Sequence, residues 1–128
     1  ILGTNAAIDY ISQIDLDAVH EHEVSLNRVM SSILKDVDGM RIIGPEDPAK
    51  RGGICSILFD TVDSHDIAIL LDEAADVMVR SGMHCVHSWF NDKGLDRGSL
   101  RASAYLYNTE DEVRLFAETL VEAVEALG

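Results

Sequence analysis

The sequence predicts an α+β domain in which helices pack on a small, mainly antiparallel sheet, in the order ααβ-β-α-β-β-α. Three observations predict it. Apolar residues recur at helical spacing near both ends of the chain. Between them lie short apolar runs of strand length, above all Ile54–Phe59. Turns rich in glycine and proline separate these runs.

Ala6, Ala7, Ile8, Ile11 and Ile14 give a first helix over roughly residues 4–13. Asp15 and Asp17 offer caps for a second. Its apolar stripe is Val19, Leu26, Val29, Met30, Ile33 and Leu34, and Asp38-Gly39 ends it. Met40–Ile43 is a short strand. Gly44-Pro45-Glu46-Asp47-Pro48 is a stiff loop, and Arg51-Gly52-Gly53 leads into the strand Ile54–Phe59. That strand is apolar almost throughout, as when both faces are covered. Asp63 or Ser64 caps a third helix built on Ile67, Leu70, Leu71 and Ala74. Val77–Arg80 reads as a strand stopped by Ser81-Gly82. Residues 82–99 read as an irregular loop, of a length that is usually functional. Leu100–Tyr107 is the last strand. Thr109 and Glu112 form a capping box for a final helix that buries Val113, Phe116, Leu120, Val121, Val124 and Leu127.

The 128 residues suit one domain. The formal charge of −13 excludes a nucleic-acid surface and disfavours anionic lipid, because phosphates require clustered Lys and Arg. The acid is spread along helix faces as a solvated surface. No apolar run approaches the ~20 residues of a membrane span. Cys55 and Cys85 form neither a CxxC pair nor a disulfide framework, so a cytoplasmic, reducing compartment is expected. The chain opens Ile1-Leu2-Gly3-Thr4 and runs at once into a helical pattern, which suggests a piece of a longer protein.

Arg80-Ser81-Gly82-Met83-His84-Cys85 is the segment most suggestive of chemistry. It leaves a strand, turns at a glycine, and sets a cysteine beside a histidine and near an arginine. A sulfur nucleophile acts as thiolate, which cationic neighbours favour. Taken locally, the ordinary reading is a structural thiol. Arg101 stands in an otherwise apolar strand, where it needs a partner: a structural carboxylate or a bound one. Cys55 reads as a packed small hydrophobe. Trp89 and Phe90 read as a lid or an interface patch. The His and Cys spacings match no zinc pattern, so no metal is expected. GxGxxG, P-loop and GxSxG motifs are absent, and none of the lysines, Lys35, Lys50 and Lys93, sits in a Schiff-base motif.

Arg80-x-Gly82-x-His84-Cys85, then Arg101-Ala102-Ser103, then Tyr107-Asn108-Thr109-x-x-Glu112 resembles the C-terminal region of cysteine desulfurases and selenocysteine lyases. These are class V aminotransferase relatives among the fold-type I pyridoxal-phosphate (PLP) enzymes. The compact loop is similar to the SufS-like branch. Ala6-Ala7-Ile8-Asp9-Tyr10, Gly44-Pro45 and Arg51-Gly52-Gly53-Ile54 extend the resemblance over the whole chain. It implies that residues 1–128 are the C-terminal small domain of a longer enzyme, with the large PLP-binding domain outside this chain. It implies that the parent converts L-cysteine to L-alanine, with Cys85 as the persulfide-forming nucleophile. Arg101 falls on the residue that grips the substrate carboxylate. Arg80 falls on an active-site arginine, and His84 on a substrate-side loop neighbour. PLP is implied for the parent, with none expected on this fragment, which alone would be inactive. A sulfur-acceptor protein and a homodimeric parent follow from the same resemblance. Family members often read Gly-His-His-Cys where this chain has Gly82-Met83-His84-Cys85, and place a proline where it has Val86-His87-Ser88. The alternatives are a selenocysteine lyase or other class V relative, and a non-catalytic acidic interaction module. Excision would expose an apolar patch near the first helix or the Trp89-Phe90 loop.

Overall fold

The computed structural model describes residues 1–128. It contains α1 (Leu2–Ile11), α2 (Leu16–Leu34), β1 (Met40–Ile43), β2 (Ile54–Phe59), α3 (Ser64–Ala75), β3 (Arg80–Gly82), α4 (His87–Asp92), β4 (Ser99–Ser103) and α5 (Glu110–Leu127). The expected order holds, with α4 added in the loop after β3.

Side-chain caps start the three long helices. Asp15 accepts from the backbone N–H groups of Asp17 and Ala18, and Asp63 accepts from that of His65. Thr109 and Glu112 close the full capping box on α5. The sheet order is β1-β2-β4-β3, antiparallel at every pairing. Gly53 sits where only a glycine fits, since a Cβ there would lie 2.0 Å from the Ala104 carbonyl oxygen. That close approach lets Ala104 N–H donate to Gly53 O, locking β2 to the end of β4.

Period-2 alternation divides the sheet into two faces. Cys55, Ile57 and Leu100 point into the core, where they meet Leu26, Met30 and Leu34 of α2, Ile67 and Leu71 of α3, and Phe116 and Leu120 of α5. The helices therefore cover one face. Ser56, Ser99, Arg101 and Arg80 alternate onto the other.

Several boundaries differ from the sequence reading. The first helix starts and ends two residues early. The second ends at Leu34, and Gly39, at φ 78°, instead turns the chain into β1. Residues 77–79 are unpaired, so β3 begins only at Arg80, where β4 comes alongside. β4 stops at Ser103, because Asn108 folds back and its Oδ1 accepts from Tyr105 N–H. The loop after β3 is not irregular throughout. Its α4 buries Phe90 at 2% exposure but leaves Trp89 41% exposed, so the pair does not form one lid or patch. Finally, α1 buries none of its residues.

Candidate active site

Four side chains singled out in the sequence meet on the open face of the sheet. Arg101 of β4 lies directly opposite Arg80 of β3 on one side and Ser56 of β2 on the other. Arg80 Nη2 stands 3.8 Å from Cys85 Sγ. His84 is close enough to both guanidinium groups that each lowers its proton affinity.

The backbone explains how Cys85 reaches this place. Gly82 leaves β3 at φ 109°, and His84 and Cys85 follow at φ 50° and 64°. Val86 N–H donates to Met83 O at 2.9 Å. Two successive positive φ values inside such a bond are those of a type I′ turn, which normally uses Gly, Asn or Asp. Side chains larger than these are strained there. The turn holds Cys85 at its exposed tip. At the loop's far end Gly98, at φ 70°, lies so close to Gly82 that a Cβ would come within 2.6 Å of its backbone. The two glycines pinch the loop shut.

The site is electrostatically unusual for so acidic a chain. Like charges directly opposite on a sheet repel, yet neither Arg80 nor Arg101 is in an ion pair. The ion pairs are Lys35–Asp36 and Lys93–Asp92, both between sequence neighbours at the surface. Arg101 Nε is buried without a hydrogen-bond partner. No carboxylate of this chain pairs with Arg101. An unpaired, half-buried guanidinium beside a second one is suited to a planar carboxylate supplied from outside the chain.

His84 turns its ring toward Ser99. Nε2 lies 3.1 Å from the Ser99 carbonyl oxygen and 3.0 Å from Ser99 Oγ, while Nδ1 is buried without a partner. Burial pushes His84 below its ordinary 6.5. The bond to the Ser99 backbone opposes this, and Arg101 and Arg80 add to the lowering. Ser99 is a residue that sequence reasoning missed. It lies one position outside the expected strand, and only its neighbour Gly98 hinted at a close approach.

The two cysteines have opposite characters. Cys55 is fully buried, and burial pushes its thiol up to about 11, which makes it inert. Its reading as a packed hydrophobe holds. No cluster of His, Cys, Asp and Glu has the geometry of a metal site. Lys35 and Lys93 are held by neighbouring aspartates, and Lys50 is exposed in a 3₁₀ turn. With no lysine among Arg80, His84, Cys85 and Arg101, these residues do not fit a PLP-holding site. They fit the side of an active site that faces the substrate. A groove of about 390 Å³ between Val77–Val79 and Ala102–Ala104 is lined by none of the four. The cysteine site is an open surface.

Comparison with known proteins follows the same line. The aminotransferase class-V family model matches residues 1–116. The chain is 35% identical over 126 residues to a probable cysteine desulfurase of Methanothermobacter thermautotrophicus, covering 94% of this chain and 30% of the relative. It is 36% identical over 128 residues to a probable cysteine desulfurase of Halalkalibacterium halodurans, covering 99% and 30%. Among solved structures, the apo cysteine desulfurase of Thermococcus onnurineus superposes with TM-score 0.84 at 32% identity, covering 95% of this chain and 30% of that one. The S-sulfonic acid form of an Escherichia coli cysteine desulfurase gives 0.82 at 25% identity, covering 96% and 29%. The chain thus spans about 30% of the length of these relatives.

Proposed function

The chain belongs to the class-V aminotransferase family, and from that premise we propose that it is the C-terminal small domain of a PLP-dependent cysteine desulfurase. The observation that carries this reading is the convergence of an exposed thiol with two arginines that no carboxylate of the chain neutralises.

Each residue has a task that follows from its chemistry. Arg101 takes the α-carboxylate of L-cysteine in bidentate fashion, which fixes the substrate's sulfur relative to the loop. Arg80, 3.8 Å from the sulfur, donates to Cys85 and orients it toward the substrate. Cys85 attacks the substrate sulfur. An S–S bond forms and the substrate's C–S bond breaks. The electron pair stays on carbon, which takes up a proton and becomes L-alanine. The persulfide remains on Cys85, exposed at a loop tip from which an acceptor protein can remove it. PLP, when bound in the parent's large domain, would supply the electron sink, and none of Arg80, His84, Cys85 and Arg101 is a lysine that could hold it as a Schiff base.

The open surface around Cys85 fits this division, since the large domain would close the site from the uncovered side. A homodimeric parent is part of the same reading. The chain has no helix long and apolar enough to cross a membrane. A cytoplasmic setting belongs to the same reading, and the two free cysteines agree with it.

The test is alanine release from L-cysteine by the full-length parent. Cys85→Ala is expected to lower turnover on the order of a hundredfold or more while PLP absorbance is retained. Undiminished alanine release would sink the persulfide role.

A further inference from the structure

Cys85 owes its position to a strained turn, and something must hold that turn. The φ values of 50° and 64° at His84 and Cys85 put two non-glycine residues in the left-handed region in succession. The hydrogen bond from Val86 N–H to Met83 O closes the turn but does not itself tie it to β4. Cys85 meets Arg80 of β3, and His84 is the side chain of the turn that reaches β4. Its target, Ser99, is 1% exposed at the start of β4, two residues before Arg101 on the same face.

The protonation of this contact follows from chemistry. A carbonyl oxygen can only accept, so the ring nitrogen 3.1 Å from Ser99 O carries the hydrogen. Nε2–H is shared between that oxygen and Ser99 Oγ at 3.0 Å. Nδ1 is then the bare nitrogen, buried with no partner. The opposite tautomer would set a lone pair against the carbonyl and bury an orphan N–H, which costs more. Nor does His84 contact the Cys85 sulfur, whose only side-chain partner is Arg80.

We propose that His84 and Ser99 form a pin, with neutral His84 protonated on Nε2, that positions Cys85 against Arg80 by holding the strained turn to the start of β4. The inference rests on the reading of Cys85 as the reacting thiol, and it makes His84 a positioning residue where the family resemblance implied substrate binding. Ser99 acts through His84.

The pin is sensitive to acid in a definite direction. The charged groups facing His84 are Arg101 of β4 and Arg80 of β3, both positive, and Phe90 of α4 packs near the ring at 6.3 Å. A second proton would place N–H on Nδ1 in a buried position without an acceptor. The folded value lies below the ordinary 6.5, so the unfolded chain binds the proton more readily. The pin's contribution is complete above 6.5 and is lost as the pH falls through the lowered folded value.

The test uses the thiol itself, without PLP or substrate. Cys85 alkylation by iodoacetamide is followed at pH 7.5 in wild type, Ser99→Ala, Ser99→Thr, His84→Ala and the double variant Ser99→Ala/His84→Ala, with circular dichroism checking the fold. Cys55 is buried and does not compete. Ser99→Ala, which keeps the carbonyl and loses the hydroxyl, is expected to slow alkylation about fivefold, the factor one hydrogen bond is worth, and His84→Ala, which loses both bonds, to slow it further. Ser99→Thr restores the rate, and in the His84→Ala background Ser99→Ala has no further effect. Nitrogen-15 shifts of the wild-type imidazole at pH 7.5 are expected to show a neutral ring protonated on Nε2. A ring protonated on Nδ1, or wild-type alkylation in Ser99→Ala, would overturn the pin, as would a Ser99→Ala effect undiminished without His84. None of these outcomes touches the desulfurase reading, which stands or falls on alanine release from the Cys85→Ala parent.

Discussion

Arg101 is the residue at which the proposed function carries a cost in stability. It faces Arg80 across the β3–β4 ladder and buries a guanidinium nitrogen with nothing to bond. Removing its charge is therefore expected to leave the fold intact or stabilise it, by a few tenths of a kcal/mol up to about 1. Arg101→Gln is predicted to melt at the same temperature as wild type or above it. In the full-length parent the same change raises KM for L-cysteine about tenfold or more, because the bidentate carboxylate clamp is gone. A lowered melting temperature with unchanged KM would mark Arg101 as structural. Cys55 is the opposite case: its burial in the core makes it an ordinary packing residue.

Among the elements, α5 is the best specified. Thr109 accepts from Glu112 N–H, and the Glu112 carboxylate accepts from Thr109 N–H at 2.8 Å. The Thr109 N–H bond, with those from Asn108 Nδ2 and Thr109 Oγ1 to the same carboxylate, holds Glu112 below its ordinary 4.5. Thr109→Ala is expected to cost about 1 kcal/mol, visible as a drop of roughly 3–5 °C in melting temperature. The pH dependence carries the sign of a depressed carboxyl. Its contribution is present above 4.5 and is lost as the pH falls through the lowered folded value. Glu112→Gln should flatten that part of the acid limb in thermal melts below pH 4.5. β3 is the weak element, a three-residue edge strand. Its far end is fixed by the pinch of Gly82 against Gly98 more than by its own pairing.

At the scale of the whole molecule, two surfaces lack a covering layer. One is the sheet face that carries Arg80 and Arg101. The other is α1, where Ile1, Leu2, Ile8, Tyr10 and Ile11 are exposed. Apolar exposure of this kind marks an interaction surface. The isolated chain is expected to self-associate as its concentration rises in sedimentation velocity, and Ile8→Glu with Ile11→Glu should abolish this. A wild-type chain that stays monomeric at every concentration would remove the case for α1 as a contact surface. Because α1 buries nothing in the domain, the double variant should unfold at the wild-type temperature.

Local pattern made much of this legible. The apolar period wrote out the long helices, side chains marked their caps, and the run Ile54–Phe59 announced a central strand, because each signal depends only on residues near in sequence. The ordered set from Arg80 to Glu112 carried the family resemblance for the same reason. Strand ends were not legible, since pairing stops where a partner leaves: residues 77–79 have the right residues but no neighbouring strand. Trp89 and Phe90 look alike in the sequence, and only packing sent one in and left the other out. The meeting of Arg80 with Arg101 depends on a register between strands 21 residues apart in the chain. Sequence alone thus determined which residues were available for chemistry. Tertiary structure decided that no carboxylate would neutralise the arginines and that Ser99 would hold His84, because distance and burial exist only once the chain has folded.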